Sequence, residues 1–190
     1  VASPFAVTPL TLVDQSRFAD RVNRAVVGRN SLAEGDCENL PAMVEAGWKH
    51  WQHALAGIST HVELSPVTPF AGESSLLLSA TASDSTLAET LIETPPVWVV
   101  TAPVQFGGDT AVRIRGRIRI AKPITGSVDG LEIIDSLGGP ALATRIGHAP
   151  EWQEFTLYRF ATRLDQITIT FALTGIGEAW IDNVVVEPMS

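Results

Sequence analysis

The chain has 190 residues, of which 45% are hydrophobic and 18% charged, and its formal net charge is −8. This composition excludes a disordered or coiled-coil chain, and the excess of acidic residues argues against a nucleic-acid binder. No apolar run is long enough to span a membrane. The single cysteine, Cys37, excludes an intramolecular disulfide and a thiol-rich metal site.

The first 29 residues differ in pattern from the rest and predict one short helix near residues 15–27. Apolar residues recur there at helical spacing, with arginines on the opposite face. Asp14 is suited to cap the start of this helix, and Gly28 to end it. We therefore predict an N-terminal segment at 1–29 and a second unit at 30–190. Because the chain starts at Val1 without a signal segment, we expect a processed or excised part of a longer protein.

From Asn30 onward the chain consists of short apolar or alternating runs separated by Gly, Pro, Asp and Ser, which is typical of hairpin-built sheets. Nine strands are predicted, and the short connections between the later ones favour antiparallel neighbours. The fold class is therefore all-β, a two-sheet antiparallel β-sandwich of the jelly-roll type. The predicted strands are Ile58–Leu64, Ser75–Ala82, Val97–Val100, Ala111–Ile120, Leu131–Asp135, Ala141–Ile146, Trp152–Ala161, Gln166–Leu173 and Ala179–Glu187.

The stretch "AVRIRGRIRI" at residues 111–120 alternates arginine with aliphatic residues or glycine. On a strand, the aliphatic residues would point to the core and the four arginines to the opposite face. Two interpretations stay open for that face. It is either a solvated surface with cross-strand ion pairs or a surface that binds a ligand. The candidate carboxylate partners are Glu132, Asp135, Glu151 and Glu154.

Several motifs occur in an order that resembles the carbohydrate-binding modules of the galactose-binding-like jelly-roll fold, the xylan- and glucan-binding kind. These motifs are "NSLAEGD" from Asn30, "GW" at Gly47, "GESSLLL" from Gly72, "PEWQEFTL" around Trp152 and "AWIDNVVV" from Ala179. The chain departs from the family pattern at Ala33, where the family usually has Phe, and at Asn183, where it usually has Asp. The resemblance implies a module attached to a secreted or periplasmic protein, with a polysaccharide or glycan as partner.

The resemblance also implies a structural calcium ion near the point where the first and last strands meet. Calcium requires several hard oxygen ligands from distant parts of the chain. The matching side chains are Glu34, Asp36 and Asp182, and the loop around Glu73 could add carbonyl oxygens. Alternatively, Glu34 and Asp182 accept hydrogen bonds from turn amides.

Sugar recognition combines aromatic faces with polar groups that bind hydroxyls. The residues predicted to bind ligand are Trp51, Trp98, Arg113, Arg115, Arg117 and Tyr158. An arginine-lined site would favour an acidic polysaccharide. The resemblance implies that Trp48 and Trp152 are not part of the site, because the family tends to bury an aromatic at these positions.

No catalytic residues are predicted. Glu132 and Asp135, considered as the acid and base of a glycosidase, would point to opposite faces of their strand. The pair His50 and His53 in "HWQH" is a weak zinc signal. We expect a non-catalytic carbohydrate-binding or accessory module of a larger extracytoplasmic protein. The alternative is a structural or protein-interaction domain of the same fold without a sugar ligand.

Overall fold

A computed structural model describes residues 25–84 and 91–190, and within these ranges the chain forms two antiparallel sheets of five strands each. The first sheet has the strand order β1-β4-β11-β7-β8 and the second β2-β3-β12-β6-β9, while β5 and β10 form a separate pair. The two-sheet antiparallel β-sandwich is thereby confirmed. No helix in the described ranges is long and apolar enough to cross a membrane.

The described residues contain one α-helix, one 3₁₀ helix and twelve strands. In chain order these are α1 Leu40–Ala46, β1 Lys49–Gln52, β2 Ile58–Ser65, β3 Ser75–Ala82, β4 Val97–Val100, β5 Val104–Gln105, β6 Thr110–Ile120, β7 Leu131–Asp135, the 3₁₀ helix Pro140–Leu142, β8 Thr144–Ile146, β9 Ala149–Ala161, β10 Gln166–Ile167, β11 Ile169–Leu173 and β12 Gly177–Met189.

The core lies between the two sheets and is built from the inward residues of each strand. In β6 the side chains of Val112, Ile114, Ile118 and Ile120 are fully buried and the arginines alternate with them, as the sequence pattern predicts. Gly116 belongs to this inward row. The position holds a glycine because the Phe155 ring occupies the space that a side chain would need. A Cβ at that position would lie 2.8 Å from Phe155 Cε1. Phe155 in turn contacts Phe171 of the opposite sheet. The two rings are arranged edge to face, with their centroids 5.9 Å apart.

The end of the predicted N-terminal helix is not helical. Val26 exchanges two backbone hydrogen bonds with Ser190, at 2.8 and 3.0 Å, and Val27 forms an antiparallel bridge with Met189. Strand β3 pairs with β12 only as far as Ile181. The backbone groups of β12 beyond Ile181 on that edge would otherwise lack hydrogen-bond partners, and the segment with Val26 and Val27 supplies them. The rest of the predicted helix, residues 15–24, lies outside the described residues, and the unit boundary at Asn30 stays a prediction.

Further differences between the sequence prediction and the fold concern β8, the strand predicted at 166–173 and helix α1, and strands β1 and β5 were also not predicted. Strand β8 starts only at Thr144, because Pro140 begins a 3₁₀ turn after Gly139 at φ 59°. The single strand predicted at 166–173 is divided between β10 and β11, which pair with different neighbours. Helix α1 was not predicted, although the Asn39 side chain caps it by accepting from Ala42 N at 3.0 Å.

Candidate functional site

Each sheet has an outward face that carries residues predicted to bind ligand. We call the outward face of the first sheet the aromatic face, because it carries Trp51 and Trp98. We call the outward face of the second sheet the arginine face, because it carries Arg113, Arg115, Arg117 and Arg119. The two faces lie on opposite sides of the sandwich, since the inward residues of both sheets form the shared core.

The aromatic face is organised by a row of residues directly paired across all five strands of its sheet. The pairing aligns Trp51 with Trp98, Trp98 with Ala172, Ala172 with Glu132 and Glu132 with Arg145. Successive residues on a strand alternate between faces, so these five side chains share the outward face. The row thus brings aromatic and charged side chains together from segments far apart in the sequence.

The two indoles of this row stack on each other. Their ring centroids are 6.0 Å apart and their planes differ by 11°. Trp51 is 43% exposed and Trp98 is half-buried, so the pair forms a surface aromatic platform rather than part of the core. Exposed indoles of this kind offer the flat apolar surface that the C–H side of a pyranose requires.

His53 supports Trp98 from the side of β1. Its ring meets Trp98 edge to face with centroids 4.9 Å apart, and its Nδ1 lies 3.0 Å from the carbonyl oxygen of Pro95. A carbonyl oxygen only accepts hydrogen bonds, so Nδ1 carries the proton and Nε2 is left for another partner. The sequence analysis considered His53 only as a weak metal ligand, and its role beside Trp98 follows from β1, a strand that the sequence did not predict.

The other end of the row is an ion-pair group. Arg145 Nη2 lies 2.8 Å from Glu132 Oε1, and Arg145 Nε lies 3.1 Å from Asp129 Oδ1. Arg145 and Asp129 are each 41% exposed, whereas Glu132 is 15% exposed. These groups hold fixed donors and acceptors at the surface, which is the polar half of a sugar site.

The arginine face is largely satisfied by its own carboxylates. Arg113 donates to Glu187 Oε2 through Nε at 2.8 Å, and Arg115 donates to both oxygens of Glu187 at 3.3 Å. Burial alone would raise the pKa of Glu187, but the hydrogen bonds from Arg115 and Arg113 outweigh it and lower the pKa overall. Arg117 pairs with Glu154 at 2.9 Å, so of the four carboxylates predicted as partners only Glu154 is one.

A loop at residues 66–74, between β2 and β3, covers part of the arginine face. Its Phe70 ring lies 4.6 Å from the Arg117 guanidinium carbon, and its Thr68 hydroxyl accepts from Arg119 Nη1 at 2.6 Å. Trp152 packs on Phe70 and donates to the Thr68 carbonyl oxygen at 3.0 Å. This face therefore has less free polar surface than the sequence pattern indicates.

Tyr158 lies on the arginine face, directly across from Arg113. The six residues predicted to bind ligand are thus split, with Trp51 and Trp98 on one side of the sandwich and the other four on the opposite side. They do not form one site, and the binding role of each stays a prediction.

The three predicted calcium ligands do not form one group. Glu34 and Asp36 line a surface depression of 240 Å³ together with Asn183, whereas Asp182 is not part of that lining. No set of three or more His, Cys, Asp or Glu side chains in the described ranges is placed to hold a metal ion. Calcium binding itself stays a prediction.

Asp182 instead accepts backbone hydrogen bonds, the alternative that the sequence left open. Its Oδ2 accepts from Phe70 N at 2.9 Å and from Ala71 N at 3.1 Å, and its Oδ1 accepts from Asn183 N at 2.6 Å. Burial raises the pKa of Asp182, while the amides of Ala71, Asn183 and Phe70 act in the opposite direction. Asp182 therefore anchors the 66–74 loop to β12.

A second carboxylate, Glu38, holds the other end of this loop and was missed by the sequence analysis. It accepts from Glu73 N at 3.0 and 3.1 Å and from the Ser74 hydroxyl at 3.3 Å. Its neighbour Cys37 is free and buried, and burial together with the charge of Asp182 raises the pKa of its thiol. Cys37 is thus a protonated core residue.

The carboxylates considered for acid-base catalysis point in opposite directions, as the sequence predicts. Glu132 lies outward and binds Arg145, whereas Asp135 is 1% exposed and lies 2.7 Å from Arg159 Nη2. A glycosidase needs two carboxyl groups that face each other across the scissile bond. These two do not meet that requirement.

Comparison with known proteins identifies the fold but finds no sequence relative. Neither the search of protein-family models nor the search of curated proteins found a match. Among solved structures, a CBM4 carbohydrate-binding module aligns with a TM-score of 0.56 at 13% identity, over 83% of this chain and 99% of the module. The CBM22-1 xylan-binding domain of Xyn10C from Paenibacillus barcinonensis aligns with a TM-score of 0.51 at 11% identity, over 85% of this chain and 95% of the domain.

The same architecture also occurs inside a larger phage protein. The enzymatically active domain of tailspike protein 4 from bacteriophage CBA120 aligns with a TM-score of 0.51 at 14% identity, over 84% of this chain but 21% of that one. The chain therefore has the jelly-roll fold of carbohydrate-binding modules, as the order of its sequence motifs indicates. At these identities the similarity establishes the fold alone.

Proposed function

We propose that this chain is a non-catalytic carbohydrate-binding module whose binding surface is the aromatic face. The observation that carries this proposal is the stacked Trp51–Trp98 pair, which is exposed at the surface and aligned in one row with Glu132 and Arg145. The fold shared with carbohydrate-binding modules supports the same conclusion.

The row combines the two kinds of contact that sugar binding requires. The indole platform offers apolar surface to ring C–H groups, and the ion-pair group offers charge-assisted hydrogen bonds to hydroxyls. Glu132 uses only Oε1 for Arg145, and its Oε2 has no hydrogen-bond partner among the described residues. That oxygen is a preorganised acceptor for a sugar hydroxyl.

The charges of this face favour a neutral polysaccharide. Glu132 and Asp129 balance Arg145 and Lys49 of β1, so these four groups give the face no net positive charge to attract uronates. The four arginines of the arginine face lie on the opposite side of the sandwich, where three of them, Arg113, Arg115 and Arg117, pair with Glu187 or Glu154. Binding should therefore depend weakly on salt concentration.

We further propose that the chain is one domain of a larger extracytoplasmic protein. The xylan-binding neighbour is itself a domain of a longer protein. Because structural polysaccharides lie outside the cytoplasm, a module that binds them would be exported together with its parent protein.

Affinity electrophoresis in gels containing xylan, mixed-linkage β-glucan or polygalacturonate tests this proposal. The wild type is expected to be retarded by a neutral polysaccharide at low and high salt. Trp98→Ala should abolish the retardation, and Arg115→Ala, the control on the arginine face, should retain it. If the wild type is retarded by no polysaccharide, the chain is a structural or protein-interaction domain. Loss of binding in Arg115→Ala alone would move the site to the arginine face.

A further inference from the structure

His53 lies at the edge of the indole platform, immediately after the last residue of β1. Trp51 and His53 are two residues apart and both contact Trp98, Trp51 by stacking and His53 edge to face. The imidazole is therefore beside the surface that the proposed function assigns to the sugar. We propose that His53 is itself a sugar-binding residue, whose Nε2 accepts a hydrogen bond from a free hydroxyl of the polysaccharide.

The main chain before β4 holds the imidazole in place. His53 N donates to the Pro96 carbonyl oxygen at 2.8 Å, and His53 Nδ1 lies 3.0 Å from the Pro95 carbonyl oxygen. These two prolines lead directly into β4, which starts at Val97, and a proline ring fixes the backbone φ angle at about −65°. The imidazole is thus bonded to a rigid part of the backbone rather than to a mobile side chain. Such preorganisation lowers the entropy that is lost when a ligand binds.

The hydrogen bond to Pro95 determines which ring nitrogen of His53 can accept. A carbonyl oxygen cannot donate, so Nδ1 carries the hydrogen, and Nε2 of the neutral imidazole presents a lone pair. The partner of Nε2 must therefore be a hydrogen-bond donor. In a neutral polysaccharide this donor is a free hydroxyl, because an esterified or methylated oxygen has no hydrogen to donate.

The Nε2 atom of His53 is open to solvent. His53 is half-buried, and its Nε2 has no hydrogen-bond partner among the described residues. Within the described ranges, the buried side-chain nitrogen and oxygen atoms that lack a partner are Ser75 Oγ and Trp180 Nε1, so His53 Nε2 is not a buried atom. A pyranose on the Trp98 indole projects hydroxyls from its ring edge, and a polar group beside the indole can bind them.

This assignment gives the aromatic face an acceptor on each side of Trp98. In the strand order of the sheet, His53 follows β1 on one side of β4, and Glu132 lies on β7 on the other side. Neither His53 Nε2 nor the Glu132 carboxylate has a hydrogen to donate, so both need hydroxyl hydrogens from the ligand. The face should therefore favour polysaccharides whose hydroxyls are unsubstituted.

This inference rests on the proposed function, and three substitutions of His53 test it separately. His53→Asn keeps a donor near the position of Nδ1, His53→Phe keeps a ring against Trp98, and His53→Gln keeps an acceptor near the position of Nε2. The ligand is a xylan oligosaccharide, or an oligosaccharide from whichever neutral polysaccharide retards the wild type. His53→Asn and His53→Phe should each weaken its binding by about three- to tenfold, the effect of one neutral hydrogen bond. His53→Gln should bind within about twofold of the wild type.

Isothermal titration calorimetry at pH 8 measures these affinities, and thermal unfolding checks that each variant is folded. The matched control is His61→Asn, a change at a histidine that is exposed on β2 of the second sheet. It should bind like the wild type. NMR of the imidazole nitrogens adds a measurement on the wild type alone, independent of the folding of any variant. It should show the hydrogen of His53 on Nδ1 and a shift of the Nε2 signal when the oligosaccharide is added.

Two results would overturn this role of His53. One is wild-type affinity in folded His53→Phe, which would limit His53 to its ring contact with Trp98. The other is a His53 Nε2 signal that does not respond to an oligosaccharide that binds. In either case the proposed function stands if Trp98→Ala abolishes binding. Absence of binding by the wild type would overturn both.

Discussion

Replacing Glu187 by Gln should destabilise the sandwich in a pH-dependent way. The Glu187 side chain is 9% exposed and accepts from Arg113 and Arg115, whose side chains are 27% and 28% exposed. A hydrogen bond to a charged group contributes about 1.5–3 kcal/mol, whereas exposed ion pairs contribute about 0–1 kcal/mol. Because water still reaches both arginines when the carboxylate is lost, we expect a decrease in unfolding free energy of about 1–3 kcal/mol.

The sign of the pH dependence follows from the lowered pKa of Glu187 in the folded protein. A carboxylate with a depressed folded pKa stabilises the protein above its unfolded pKa, and this contribution is lost as the pH falls through the folded value. The difference between wild type and Glu187→Gln should thus be constant from about pH 5 to 8 and should decrease below about pH 4.

Urea unfolding of wild type, Glu187→Gln and Glu154→Gln across this pH range measures the effect. Glu154 is the matched control, because it also pairs with arginines of the same face but is 38% exposed. Glu154→Gln should cost less than about 1 kcal/mol. If Glu187→Gln costs no more than Glu154→Gln at every pH, the arginine face is not held together by Glu187 as described.

Two further changes test the core and the loop anchor. Ile114→Ala should lower the unfolding free energy by about 2–5 kcal/mol in urea titrations, because its side chain is fully buried between the sheets; a change below about 0.5 kcal/mol would contradict the orientation of β6. Asp182→Ala should cost about 1–3 kcal/mol even with excess chelator, since three amides lose their acceptor. An effect of Asp182→Ala seen only with added calcium, and shared by Glu34→Ala, would show that these carboxylates hold an ion instead.

The sequence predicted strand orientation better than it predicted neighbours. Alternation in β6 correctly separated Ile114 and Ile118 from the arginines, because the period of two is a local property of the chain. Glu187 was missed as their partner because it lies on β12, more than 70 residues away, and no local pattern shows that β12 and β6 are adjacent.

The sequence predicted only part of the candidate site, again because it does not show which strands are adjacent. Trp51 and Trp98 were identified as suitable aromatics, but their stacking depends on the pairing of β1 with β4. Strand β1 escaped prediction because all four of its residues are exposed and show no apolar alternation.

The most direct measurement of the central claim follows the five tryptophan indole N–H signals by NMR during titration with an oligosaccharide of the polysaccharide that binds. Trp51 and Trp98 lie on the aromatic face, Trp152 and Trp180 on the arginine face, and Trp48 is buried with its Nε1 bonded to the Ala33 carbonyl oxygen at 2.9 Å. The account predicts that the Trp51 and Trp98 signals shift while those of Trp48, Trp152 and Trp180 do not. Shifts of Trp152 and Trp180 without Trp51 and Trp98 would contradict it and place the sugar on the arginine face.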